Sequence, residues 1–176
     1  MASLHDNDFE LFGIPDQFGQ DRSVLDARWK ELQREVHPDK FAAQGAAAQR
    51  LSMQWSVRIN EAYQRLKDPL KRAAYLCELN GAPIQAENNT AMPVAFLMQQ
   101  MQWREALDEA SSIEHIDAIS RQVNDSRREA LRKCEHLLDV SHEHAAAVGQ
   151  VRVLMFIERF AQDVENRLDR MDNAST

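Results

Sequence analysis

Apolar residues recur along this chain at intervals of three, four and seven, the spacing of one side of an α-helix. The first run is short. Asp8 is a candidate cap for Phe9, Leu11 and Phe12, and Gly13 and Pro15 close the element. Asp21 can cap a second helix over 22–36, where Leu25, Trp29, Leu32 and Val36 fall at i, i+4, i+7 and i+11. A third helix is predicted over 46–67, with Leu51, Trp55, Ile59, Ala62 and Leu66 on one side, and Asp68-Pro69 ends it. A fourth carries Leu70, Ala73, Leu76 and Leu79 inward and runs to Gly81. The two long helices, joined by a loop over Phe41–Gly45, should pack antiparallel as a hairpin.

The pattern breaks over 81–92, GAPIQAENNTAM, through Gly81, Pro83 and Asn88-Asn89-Thr90. This predicts a domain over 1–80, a linker over 81–92 and a second domain over 93–176. Pro93 suits the first position of a helix reaching Ala110. Phe96, Trp103, Leu107 and Ala110 make its core stripe; Val94, Leu97, Met98 and Met101 make another on a different side, continued by Glu105 and Glu109. Burial between neighbours is the bland explanation of that second stripe. Its methionines and acidic continuation favour an adaptable binding surface. Ser111 and Glu114 read as a capping box. A helix follows to about Leu138, with Ile116, Ile119, Val123, Ala130, Cys134 and Leu137 inward, then a last one to near Met171, lined by Val153, Ile157, Phe160, Val164 and Leu168. Short connections predict an up-down-up bundle. Phe156 falls off the core stripe and can flank the exposed side of the bundle's first helix. No Val/Ile/Thr-rich alternating run suggests a strand, so the expected fold class is all-α.

Composition narrows the function classes. The net charge of −7 argues against general nucleic-acid binding. The charge is uneven: 1–80 carries 11 Lys+Arg against 12 Asp+Glu, and 81–176 carries 10 against 16. The first part can therefore still present a basic face. Two isolated cysteines point to a reducing compartment. The first residues carry no targeting pattern and no stretch approaches the ~20 apolar residues of a membrane span, so a cytoplasmic protein is expected.

His37-Pro38-Asp39-Lys40 concentrates the candidate chemistry. Proline lacks an amide N–H and biases the preceding residue away from helix, so an imidazole, a rigid ring and a carboxylate share one bend. At ~100° per residue Lys30 and Arg34 lie away from the apolar stripe, and His37 lies near the azimuth of Lys30. The plain alternative for both cations is a solvated face partly paired with Asp26 and Glu31. An enzyme using His37 and Asp39 as an acid–base pair would need a pocket and an orienting group, and the chain has no Gly-rich phosphate loop or G-x-S-x-G. Cys134, His136, His142 and His144 are zinc-compatible residue types, but their one-residue gaps diverge on a helix and Cys-x-x-Cys is absent. Cys134 reads better as core.

Over about 75 residues the first part resembles a J-domain: a short aromatic helix, a basic second helix, His37-Pro38-Asp39, Ile59-Asn60-Glu61-Ala62-Tyr63, and Asp68-Pro69-x-Lys71-Arg72-Ala73-x-Tyr75. The resemblance implies a co-chaperone that stimulates a DnaK/HscA-type ATPase without chemistry or cofactor of its own, docking through His37, Pro38, Asp39, Lys30 and Arg34. The whole chain resembles the HscB family of iron–sulfur cluster assembly, on His37-Pro38-Asp39-Lys40-Phe41, Ala95-Phe96-Leu97-Met98 and Arg104-Glu105-x-Leu107-Asp108-Glu109. That implies an L-shaped protein whose C-terminal three-helix bundle binds the scaffold IscU through Leu97, Met98, Met101, Glu105, Glu109 and Phe156 and delivers it to the chaperone. Gln102 stands where close relatives can have Glu, and the paired cysteines that precede the J-domain in some eukaryotic relatives are absent, favouring a bacterial type. Two alternatives stay open: a J-domain protein for another client, and an enzyme or metal protein using His37 or the Cys134/His142/His144 cluster. Nothing demands a dimer, so a monomer is expected.

Overall fold

The computed structural model describes residues 2–85 and 91–175; the Asn88-Asn89-Thr90 part of the expected linker lies outside them. Seven α-helices and no strand occur among the described residues: α1 (Asp8–Phe12), α2 (Arg22–Val36), α3 (Ala46–Lys67), α4 (Pro69–Leu79), α5 (Val94–Glu109), α6 (Ile113–Glu135) and α7 (His144–Ala174). The chain divides into two compact units, Met1–Leu76 and Cys77–Thr176, so the division falls inside α4.

In the first unit α1 is capped by Asn7, not Asp8. The Asn7 side chain accepts the Glu10 amide (2.9 Å) and the Glu10 carboxylate accepts the Asn7 amide (3.0 Å), a reciprocal pair. Gly13 closes the helix at φ 63°, which suits a residue without Cβ. Asp8 instead turns inward and is fully buried. Its carboxylate takes two hydrogen bonds from Arg65, at 2.6 and 3.2 Å. Arg58 Nη1 lies 2.8 Å from Oδ1, at an angle that makes it an ion pair rather than a hydrogen bond. A carboxylate without water is tolerated only with such partners.

Asp21 caps α2 as expected, accepting the Ser23 amide at 2.8 Å. The helices α2 and α3 meet through Trp29–Asn60, Gln33–Ser56 and Asp26–Tyr63, pairs that advance in opposite directions and so define an antiparallel hairpin. Leu25, Leu32, Ile59, Ala62 and Leu66 are buried in it. The same register puts Val36 opposite Met53, so the start of α3 extends past the end of α2. Leu51, expected inward, is therefore exposed. A 3-10 helix over Pro38–Gln44 takes in most of the loop expected over 41–45. Asp68 caps α4 through the amides of Leu70 and Lys71, with Pro69 in the first turn. Leu79, the last residue of α4, is exposed rather than inward.

In the second unit the contacts Phe96–Phe156, Trp103–Phe160 and Arg167–Ala110 advance together, so α5 and α7 run parallel with α6 returning between them, the expected up-down-up order. The Trp103 ring stacks on Phe160 (5.6 Å) and Phe160 on Phe156 (5.8 Å). Ser112, not Ser111, caps α6, accepting the His115 amide at 3.2 Å. The helix α6 ends in a π-helical turn, His136–Val140, whose wider winding brings Leu138 inward in place of Leu137. Arg152 donates to the carbonyls of Ile84 (2.8 and 3.2 Å) and Ala91 (3.1 Å), fastening those segments to α7.

Candidate functional site

Two exposed surfaces, one in each unit, collect the residues singled out by the sequence. The first is the corner after α2. Pro38 forces His37 into an extended conformation (φ −55°, ψ 129°), which ends α2, and Pro38 then opens the 3-10 helix. The His37 ring bends back over this start. Its Nδ1 accepts the Asp39 amide at 3.3 Å and lies 3.5 Å from Asp39 Oδ2, and the His37 carbonyl accepts the Lys40 amide at 3.0 Å. The corner is thus tied locally, yet the His37 side chain remains 57% exposed and that of Asp39 92%. That exposure suits a docking tip rather than an acid–base pair sealed in a pocket.

Lys30 and Arg34 are exposed on the same helix. Asp26 and Glu31, the carboxylates that helical spacing offers them, take closer partners. Asp26 receives Arg22 (2.8 Å) and the Tyr63 hydroxyl (2.5 Å), and Glu31 receives Arg28 (2.5 Å). The Tyr63 hydroxyl, followed by Arg22, holds the Asp26 carboxyl below its ordinary pKa. The basic charge of α2 is therefore sorted: Arg22 and Arg28 serve the fold, while Lys30 and Arg34 face solvent.

The second surface is the outer side of α5. Trp103, Leu107 and Ala110 are buried and Phe96 half-buried, as the core stripe predicts. Val94, Leu97, Met98 and Met101 are 75%, 42%, 62% and 73% exposed, so the second stripe is not buried between neighbours. Glu105 and Glu109 are exposed beyond it, as is Gln102. An unpartnered run of large apolar side chains continued by carboxylates is a surface of the kind that partners cover. Phe156 departs from expectation. It is only 8% exposed, set edge-on to Phe96 (5.6 Å) and stacked on Phe160, because it belongs to the aromatic layer joining α5 to α7. It supports this surface from beneath. The Arg104 guanidinium lies over the Phe156 and Phe160 rings (5.5 and 5.7 Å) beside Asp163 (3.5 Å), a contact that periodicity alone does not reveal.

Cys134 is buried in the core of the second unit, and no three His, Cys, Asp or Glu converge as a metal site among the described residues. No helix among them is long and apolar enough to cross a membrane.

Residues 92–165 match the profile of the family described as the HSCB C-terminal oligomerisation domain. A protein of Paraburkholderia phymatum named co-chaperone protein HscB homolog is 51% identical over 98% of this chain and 100% of its own length. One of Burkholderia multivorans with the same name is 49% identical over 98% of this chain and 99% of its own. Among solved structures, the chaperone HscB from Vibrio cholerae superposes with a TM-score of 0.80 at 36% identity, covering 94% of this chain and 99% of that one. The human co-chaperone protein HscB does so with a TM-score of 0.87 at 25% identity, covering 94% and 84%. With likeness of sequence and fold running through both units, the chain belongs to the HscB co-chaperone family.

Proposed function

We propose that this protein binds an IscU-type iron–sulfur scaffold through the exposed side of α5, delivers it to an HscA/DnaK-type chaperone, and stimulates that chaperone's ATPase through the corner after α2. The observation that carries the reading is the pair of exposed surfaces on a chain of this family: the charged corner in one unit and the uncovered apolar stripe in the other.

Leu97, Met98 and Met101 supply apolar anchors, flexible enough in the methionines to fit a partner's contour, and Phe156 backs them. Glu105 and Glu109 add charge that selects a basic neighbour on the scaffold. At the corner, Lys30 and Arg34 attract an acidic surface of the chaperone, and His37, Pro38 and Asp39 present rigid groups to it. Such contacts are transient and weaken as salt rises. In this reading the chain performs no chemistry; it biases a reaction whose catalytic groups belong to the chaperone.

The test is the ATPase rate of an HscA-type chaperone with this protein, with and without scaffold. The wild-type protein should raise the rate, and scaffold should raise it further. His37→Gln should abolish stimulation while circular dichroism and scaffold affinity stay unchanged. A folded His37→Gln protein that stimulates normally would overturn the role of the corner. Scaffold that neither binds nor adds to stimulation would assign the bundle another client.

A further inference from the structure

The helix α2 is held on α3 differently on its two sides. On one side, toward the corner, an open groove of about 380 Å³ is lined by Leu32, Glu35, Val36, Phe41, Leu51 and Trp55, among others. Apolar attraction on this side is non-directional, so it does not by itself fix the rotation of α2. On the other side the Trp29 ring stacks on Tyr63 (5.0 Å) and a set of oriented hydrogen bonds joins the two helices. Gln33 Nε2 donates to Asn60 Oδ1 (2.9 Å) and to the Ser56 carbonyl (3.3 Å). The Ser56 hydroxyl donates back to Gln33 Oε1 (2.9 Å), and Trp29 Nε1 donates to the same Asn60 oxygen (2.9 Å). At ~100° per residue Gln33 stands within ~60° of both Lys30 and His37 around the α2 axis, one turn before the corner.

We infer that Gln33, Ser56 and Asn60 are positioning residues for the corner: their hydrogen bonds set the rotation of α2 on α3, and with it the direction in which Lys30, Arg34 and His37 meet a partner. This inference rests on the proposed function. Gln33 suits the role because its amide both donates and accepts, fixing the helix against two residues one turn apart on α3.

Asn60 gives a sharp test, since it acts in the seam only as an acceptor. Asn60→Asp keeps an oxygen for both N–H donors; Asn60→Leu removes it. In the ATPase titration, Asn60→Leu should raise the concentration of this protein giving half-maximal stimulation by about five- to tenfold, while Asn60→Asp stays within about twofold of wild type. Gln33→Met, with similar length and no hydrogen bonds, should behave as Asn60→Leu and serves if the latter folds poorly. Backbone amide NMR shifts of Lys30, Arg34 and His37 should move in Asn60→Leu and stay in place in Asn60→Asp. A folded Asn60→Leu or Gln33→Met protein with wild-type titration would overturn the inference, and so would Asn60→Asp impaired as much as Asn60→Leu. Wild-type protein that fails to stimulate would overturn the proposed function instead; unchanged amide shifts in Asn60→Leu would then still overturn the inference.

Discussion

Asp8 shows how far a residue's part can lie from its local pattern. Position and type mark it as a helix cap, yet its neighbour Asn7 takes that part and Asp8 turns under α3 to meet Arg58 and Arg65. The arginines come from some fifty positions away, so no reading of the short N-terminal pattern could supply them. Removing one member of a buried pair leaves uncompensated charge, so Asp8→Ala should cost about 3–5 kcal/mol in denaturant unfolding. A cost below about 1 kcal/mol would put the pair in the class of surface ion pairs. Cys134 illustrates the opposite case, where burial was legible, and for it and the equally buried Cys77 the consequence is chemical. Burial first, then Glu78, pushes the Cys77 thiol up to about 11; burial first, then Cys77, pushes Cys134 up to about 12. Thiols whose folded pKa exceeds the ordinary 9.0 contribute stability that is intact below pH 9.0 and lost as pH rises towards 11 and 12. A thiol reagent at pH 8 should therefore label neither cysteine in the native protein and both after unfolding. Immediate labelling under native conditions would contradict this.

At the scale of elements, the helices were legible because amphipathic periodicity is a long-range average, whereas their ends depend on single side chains. The end of α2 was readable from Pro38, which permits few alternatives. The start of α6 was not: Ser111 and Ser112 are adjacent, and only geometry assigns the cap to Ser112. Ser112→Ala should cost about 1 kcal/mol in urea unfolding and Ser111→Ala only a few tenths; the reverse order would restore the capping box that the sequence suggests. The exposed Leu51 and the buried Leu138 have a common cause. A sequence stripe assumes a straight helix with a partner along its whole length, but α3 outruns α2 and α6 ends in a wider turn. Phe156 was misplaced for a related reason. The stripe of Val153, Ile157, Phe160, Val164 and Leu168 is narrower than the side of α7 that its neighbours cover, and Phe156 lies within that broader buried side.

For the whole molecule, the division into two compact units bears directly on how the surfaces can be dissected. The outer side of α5 belongs wholly to the second unit, and its apolar residues are exposed, so truncating them opens no core cavity. Replacing Leu97, Met98 and Met101 together by Ala should change unfolding stability by less than about 0.5 kcal/mol per site. Scaffold affinity, by contrast, should fall through anchor losses of about 1–4 kcal/mol each that do not add. The decisive readout is the ATPase assay run both ways. Without scaffold, the triple variant should stimulate the chaperone as wild type does, because the corner, Lys30 and Arg34 are untouched. With scaffold, the extra stimulation should vanish at concentrations that saturate the wild-type protein and return only when scaffold is raised in proportion to the lost affinity. Salt separates the two surfaces further. Raising ionic strength should weaken stimulation by both proteins alike if, as proposed, charge carries the chaperone contact, while an affinity resting on Leu97, Met98 and Met101 should change less. A triple variant that lost scaffold-free stimulation without unfolding would mean the stripe also serves the chaperone, and two separable surfaces would no longer describe this protein.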